Sequence, residues 1–170
     1  MTPPEANSHC TYCGSPLGPG PASARPCSGC GRTNHRNPLP VAVALLPVRD
    51  GDRTGLLVVR RAVPPQLGLL ALPGGFIDHG EDWRCAVVRE LAEETGIAAA
   101  PGAVRLADVL SGPDHLLVFG LLPVCDREEL PPSVPTDETD GWGIRHGPGE
   151  LAFPLHTRVA NAWFAGRLRD

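Results

Sequence analysis

The chain has 170 residues, 42% of them hydrophobic and 20% charged, with a formal net charge of -4 at pH 7. That length supports one full core and a small satellite. No apolar run approaches the ~20 residues that span a bilayer, no secretory leader is recognisable, and the acidic balance argues against bulk binding of a phosphate backbone, so the expected setting is cytoplasmic, without membrane contact.

The polar, proline-rich N-terminus predicts a loose end that buries too little to order itself. Cys10-Thr-Tyr-Cys13 and Cys27-Ser-Gly-Cys30 follow, two pairs each succeeded by Gly and separated by 13 residues. Four thiolates at such spacing close a tetrahedral zinc site; the competing reading, two disulfides, is disfavoured by the reducing compartment expected here. A closed set leaves no position for a reacting ligand, so Cys10, Cys13, Cys27 and Cys30 are assigned a structural zinc in a module too small for its own core. Only Arg25, Arg32 and Arg36 are basic in this module and Tyr12 is its one aromatic residue, which disfavours nucleic acid as a partner. Cys85 and Cys125 are expected as small buried apolar residues. The module is set at residues 1–36 and the main domain at 37–170.

From Pro40 the texture changes. Val41–Val48 and Leu56–Arg60 are apolar, β-branched runs around Arg-Asp-Gly-Asp-Arg, which predicts a hairpin. Glu81 to Glu94 predicts a helix stopped at Thr95-Gly96. Strands are expected at Val104–Leu110 and Leu116–Val124, a loop over the charged, proline-rich 126–140, and a closing helix over His156–Leu168. Strands flanking helices in this order predict an α/β sandwich. No internal repeat is present.

At about 100° per residue, Glu90, Glu93 and Glu94 fall within an arc of roughly 100° on the first helix. Like charges so close weaken an exposed helix by a few tenths of a kcal/mol per pair, and a bound cation removes that cost. Clustered carboxylate oxygens suit magnesium or manganese. Val88, Leu91 and Ala92 are expected to face the core. Gly74-Gly75 just before the helix lets backbone approach a phosphate or metal closely.

Gly75-Phe-Ile-Asp-His-Gly-Glu81, seven intervening residues, then Arg89-Glu-Leu-Ala-Glu-Glu-Thr-Gly-Ile97 resembles the Nudix box in every defining position. The resemblance implies an α/β/α Nudix sandwich with a mixed sheet, preceded by a zinc ribbon as in some members that cleave NADH or ADP-ribose. It implies that the Gly75 carbonyl joins Glu90, Glu93 and Glu94 in the magnesium shell. Glu81 pairs with Arg89 to hold the loop against the helix, and Gly96 supports the box. The implied chemistry is attack of water on a diphosphate phosphorus of a nucleotide-derived small molecule, with a glutamate taking the proton. Members place that base in the box, here Glu93 or Glu94, or on a later loop, here Glu138, with Asp137, Asp140, Glu128 and Glu129 as rivals. NADH-cleaving members carry a Ser-Gln-Pro-Trp-Pro-Phe-Pro stretch that this chain lacks. Pro113 sits where ADP-ribose-cleaving members tend to carry proline, although a plain Gly-Pro turn explains it equally well. Trp142 and Phe76 are weighed as base-stacking residues against burial in the core, which is the expectation for both. A catalytically silent nucleotide-binding module is the alternative function, and a homodimer is an open option.

Overall fold

A computed structural model describes residues 7–20 and 23–168. Backbone contacts divide the chain into two units, one up to Pro38 and one from Leu39 onward.

The first unit carries a small antiparallel pair, β1 (Ala24–Pro26) and β2 (Thr33–His35). Each cysteine pair closes a tight turn of the same form: the Gly14 amide donates to the Cys10 carbonyl at 2.9 Å and the Gly31 amide to the Cys27 carbonyl at 2.8 Å.

In the second unit the apolar run 41–48 is not one hairpin arm. It splits into β3 (Leu39–Leu45) and β4 (Pro47–Asp50), which enter different sheets. The Leu45 carbonyl accepts from the Leu122 amide at 2.9 Å, whereas the next carbonyl, Leu46, accepts from Leu57 in the other sheet, also at 2.9 Å. The expected hairpin is therefore β4 with β5 (Arg53–Arg61), turning at Gly51. One sheet has the order β7-β3-β9-β8, with β7 at Gly74–Phe76, β8 at Arg105–Ser111 and β9 at His115–Leu121. It is mixed: β3 runs parallel to β9 and antiparallel to β7. The other sheet has the order β10-β4-β5-β11, with β10 at Cys125–Asp126, β11 at Thr139–Arg145 and the short β6 (Leu70–Ala71) also on β5.

Both faces of the central strands are covered, which explains why their apolar runs show no alternation. Ala42, Ala44, Leu57 and Val59 pack with Val87 and Leu91 of α1 (Trp83–Thr95). Val43, Leu45, Leu56 and Val58 pack with Val159, Ala160 and Trp163 of α2 (Pro154–Phe164). Among the described residues, no helix is long and apolar enough to cross a membrane.

Three local expectations are corrected. Residues 126–140 are not all loop, since β10 ends there, a 3-10 turn covers Arg127–Glu129 and β11 begins at Thr139. On α1, Ala86 and Val87 are buried with Leu91, while Ala92 is exposed and Val88 only half-buried. The helix leans its Glu90 and Glu94 side inward instead, because those residues face Gly74 and Gly75 of β7. Cys85 is exposed and Cys125 half-buried; Cys85 lies on the solvent side of the first helical turn, opposite Ala86 and Val87.

Candidate functional site

The site is built where β7 passes the second half of α1. Asp82 caps the helix, its carboxylate accepting from the Arg84 amide at 2.8 Å. Gly96 ends it in the left-handed region, φ 73°, with its amide on the Ala92 carbonyl at 2.8 Å. With its ends so fixed, the packing of Ala86, Val87 and Leu91 into the core sets the rotation that turns Glu90 and Glu94 toward the strand.

Gly75 is required by close approach: a Cβ there would stand 2.5 Å from both carboxylate oxygens of Glu90. Glu94 is 4% exposed and accepts from the Gly74 amide at 3.1 Å. Burial pushes its carboxyl up to about 8, the Gly74 amide opposes, and the charges of Glu90 and Glu138 add to the rise. Burial likewise raises Glu90, against the pull of Arg89. Glu93 is exposed on the same helix, its side chain 60% accessible.

Arg89 links these parts. Its Nε and Nη2 donate to the two oxygens of Glu81, each at 2.9 Å, in a fork that only a guanidinium offers. Nη2 also donates to the Phe76 carbonyl at 2.9 Å, and Nη1 to Glu90 at 2.7 Å and Glu93 at 3.2 Å. Hydrogen bonds from Arg89 hold Glu81 below the usual carboxylate range, and Glu81 keeps Arg89 charged. Glu81 also accepts from the Asp78 amide at 3.0 Å, so the loop from β7 to α1 is tied at both ends.

Glu138 is exposed, and its charge acts on both Glu90 and Glu94. Its carbonyl accepts from the Ala62 amide at 2.8 Å. Of the rival acids, Glu129 acts instead on Cys125, away from the helix carboxylates. Trp142 is buried under Arg127, which lies 4.7 Å above its ring. Phe76 departs from the expectation of burial: it is 54% exposed, beside Gly75, with the His115 ring 5.9 Å away and nearly parallel. Pro113 lies in the turn between β8 and β9.

A buried carboxylate with a single amide donor needs a proton or a cation to complete it. Glu94 is that group, and Glu90 and Glu93 stand on the same helix; carboxylate oxygens are the hard ligands that suit magnesium or manganese, while among the described residues the ligand atoms found within 4.8 Å of one another are those of the four cysteines. A cavity of about 530 Å³, lined by Arg49, Thr54, Arg105, Leu121 and Trp163 among others, contains none of these carboxylates.

In the first unit, one sulfur from each of Cys10, Cys13, Cys27 and Cys30 lies within 4.8 Å of the others. The Cys10–Cys30 and Cys13–Cys27 sulfur separations are 3.7 and 3.6 Å. A tetrahedron of sulfurs about 2.3 Å from a zinc ion has edges near ~3.8 Å, so the set fits that metal. All four are free thiols, not disulfides. Sequence reasoning missed Asn34, whose side-chain amide donates to the Cys10 sulfur at 3.3 Å while its oxygen accepts from the Thr11 amide at 2.8 Å. It also missed Thr139, whose hydroxyl donates to the Glu94 carbonyl at 2.9 Å, and nothing in the sequence marks that residue.

The NUDIX domain model matches residues 38–163. An ADP-ribose pyrophosphatase of Methanocaldococcus jannaschii is 42% identical over 74 residues, 44% of this chain and 42% of that protein. An NAD-capped RNA hydrolase, NudC, of Deinococcus radiodurans is 30% identical over 112 residues, 64% of this chain and 39% of that protein. The chain thus spans about two fifths of the length of these curated relatives. Among solved structures, a NUDIX hydrolase from Nitrosomonas europaea superposes with a TM-score of 0.71 at 21% identity, over 94% of this chain and 92% of that one, a likeness of fold.

Proposed function

The chain belongs to the Nudix family, and from that premise we propose that it is a divalent-metal-dependent hydrolase of a nucleoside diphosphate linked to a second group, with ADP-ribose as the preferred substrate class. The observation that carries this is the buried pair Glu90 and Glu94 against Gly74 and Gly75, with Glu93 on the same helix face. The named activity of the 42% identical relative supports the substrate class.

Glu90, Glu93, Glu94 and the Gly75 carbonyl would hold magnesium or manganese, which when bound neutralises phosphate oxygen charge and acidifies water. Arg89 keeps Glu81, Glu90 and the Phe76 carbonyl in register. Water attacks one phosphorus, the bridging oxygen leaves with the other phosphate, and Glu138 takes the water's proton. Burial disfavours Glu94 as that base. Its carboxylate is buried against β7, which suits a ligand role, whereas Glu138 is exposed just before β11 with its charge felt by both Glu90 and Glu94. Phe76, exposed at the edge of the site, offers a face for a base. The four cysteines would hold a structural zinc.

The test is incubation with magnesium or manganese and a panel of ADP-ribose, NADH, nucleotide sugars and nucleoside triphosphates, with products separated by chromatography. ADP-ribose should yield AMP and ribose phosphate at the highest kcat/KM. Tight binding of the panel without cleavage would favour a silent nucleotide-binding module and defeat the proposal.

A further inference from the structure

The geometry points to Arg61 as the side chain that grips the substrate's diphosphate, facing the carboxylate end of α1; this rests on the hydrolase reading above and adds the group that recognises the anion.

Arg61 is the last residue of β5, and in register it faces Thr139 of β11, the residue whose hydroxyl is fixed on the Glu94 carbonyl. The next amide, Ala62, is bonded to the Glu138 carbonyl. The backbone of Arg61 is therefore pinned between the end of α1 and the loop that carries Glu138. Strand alternation puts its side chain on the side of Leu57 and Val59, which pack with α1, and sends Arg60 the other way.

Its guanidinium is anchored without being neutralised. Nε donates to the Pro65 carbonyl at 2.8 Å and Nη2 to the Val63 carbonyl at 3.4 Å, and the group lies 5.2 Å over the Phe153 ring. Carbonyls and a ring face orient the plane but leave a full positive charge. Among the described residues no carboxylate pairs with it directly, and the hydrogen bond that Glu94 accepts comes from Gly74 instead. The neighbouring His156 competes for nothing: it is buried between Phe119 and Phe153, and burial, then the charge of Arg61, holds its imidazole down to about 3. The field of Arg61 reaches Glu94 as well, lowering it against the larger effect of burial. A planar donor fork, held by neutral groups beside a carboxylate cluster, suits a dianionic diphosphate better than a structural counter-ion role, which would show a direct ion pair.

The test uses the full chain as Arg61→Gln, Arg61→Lys and Arg60→Gln. Two quantities are measured with magnesium present: kcat and KM on the best wild-type substrate, and the Kd of α,β-methylene-ADP by calorimetry. Arg61→Gln should raise KM and Kd together by about tenfold to a hundredfold, the effect of losing a charge-assisted hydrogen bond, with kcat much less changed. Arg61→Lys should recover part of the loss, and Arg60→Gln should stay within about twofold of wild type in both, as expected of a charge on the opposite face. If Arg61→Gln lowers only the thermal midpoint and leaves Kd unchanged, Arg61 is a loop anchor and the inference is overturned. If that variant is too unstable to assay, unchanged probe binding by Arg61→Lys overturns it, and weakening by about threefold or more supports it. A wild-type protein that cleaves no diphosphate would defeat the hydrolase reading, while the methylene-ADP arm would still report on Arg61.

Discussion

Glu94 concentrates the chemistry of the site in one side chain. Its carboxyl is raised to about 8 from an ordinary 4.5, so the folded state holds the proton more tightly than the unfolded chain. The sign follows: the contribution to stability is full below 4.5 and is lost as pH rises through about 8. A cation that binds the carboxylate reverses that loss. Saturating magnesium should therefore raise the thermal midpoint more at pH 8.5 than at pH 6, measured by calorimetry; an equal gain at both would contradict the ligand role. Glu94→Gln should keep the fold and lose at least about a hundredfold in turnover, and wild-type-like turnover at saturating magnesium would sink the assignment. For Glu138→Gln the expected drop in kcat is about 10²- to 10⁴-fold, the range of a general base. Retention of more than about a third of wild-type kcat would move the base into the box, to Glu93. The pairing of Glu81 with Arg89 and the placement of the three glutamates on one helix were legible because residue type and spacing dictate them. Arg61 was not, since nothing local separates it from Arg60 until strand register assigns the two to opposite faces.

At the scale of elements, α1 was legible almost to the residue: the Glu81–Glu94 expectation became Trp83–Thr95, with Gly96 as its stop. The strand at Thr139–Arg145 was missed because it begins inside an acidic, proline-rich stretch. It also carries a register shift between Thr139 and Trp142, where Gly141 takes φ 97°, so its sequence shows no clean alternation. The Val41–Val48 run misled for a different reason. With both faces buried there is no polar period to show that the chain changes sheets after Leu45. The contact between β7 and α1 is itself testable. Gly75→Ala places a carbon 2.5 Å from both oxygens of Glu90, so it should weaken magnesium binding at least about tenfold, as misplacement of a ligand does, without unfolding the protein. Unchanged affinity in a magnesium titration would mean that Glu90 is not a ligand.

For the whole molecule, the cysteine unit and the larger domain are expected to take different metals. Freshly purified, reduced protein should contain one zinc per chain, and less than half an equivalent by metal analysis would contradict the assignment. The parallel pairing of β3 with β9 has a different reach. It joins Leu39–Leu45 to His115–Leu121, and Gly75 and all of α1 lie in the chain between them. Pairing so distant in sequence must close a long segment before its contacts form, so it is expected to follow the local elements in folding. A growing polypeptide that has left the ribosome only as far as Gly96 already contains every glutamate of the motif, yet it lacks the strand that completes the platform beneath the helix. Fragments ending there should bind no magnesium despite an intact motif, so the metal can report only on chains that have been made through residue 121.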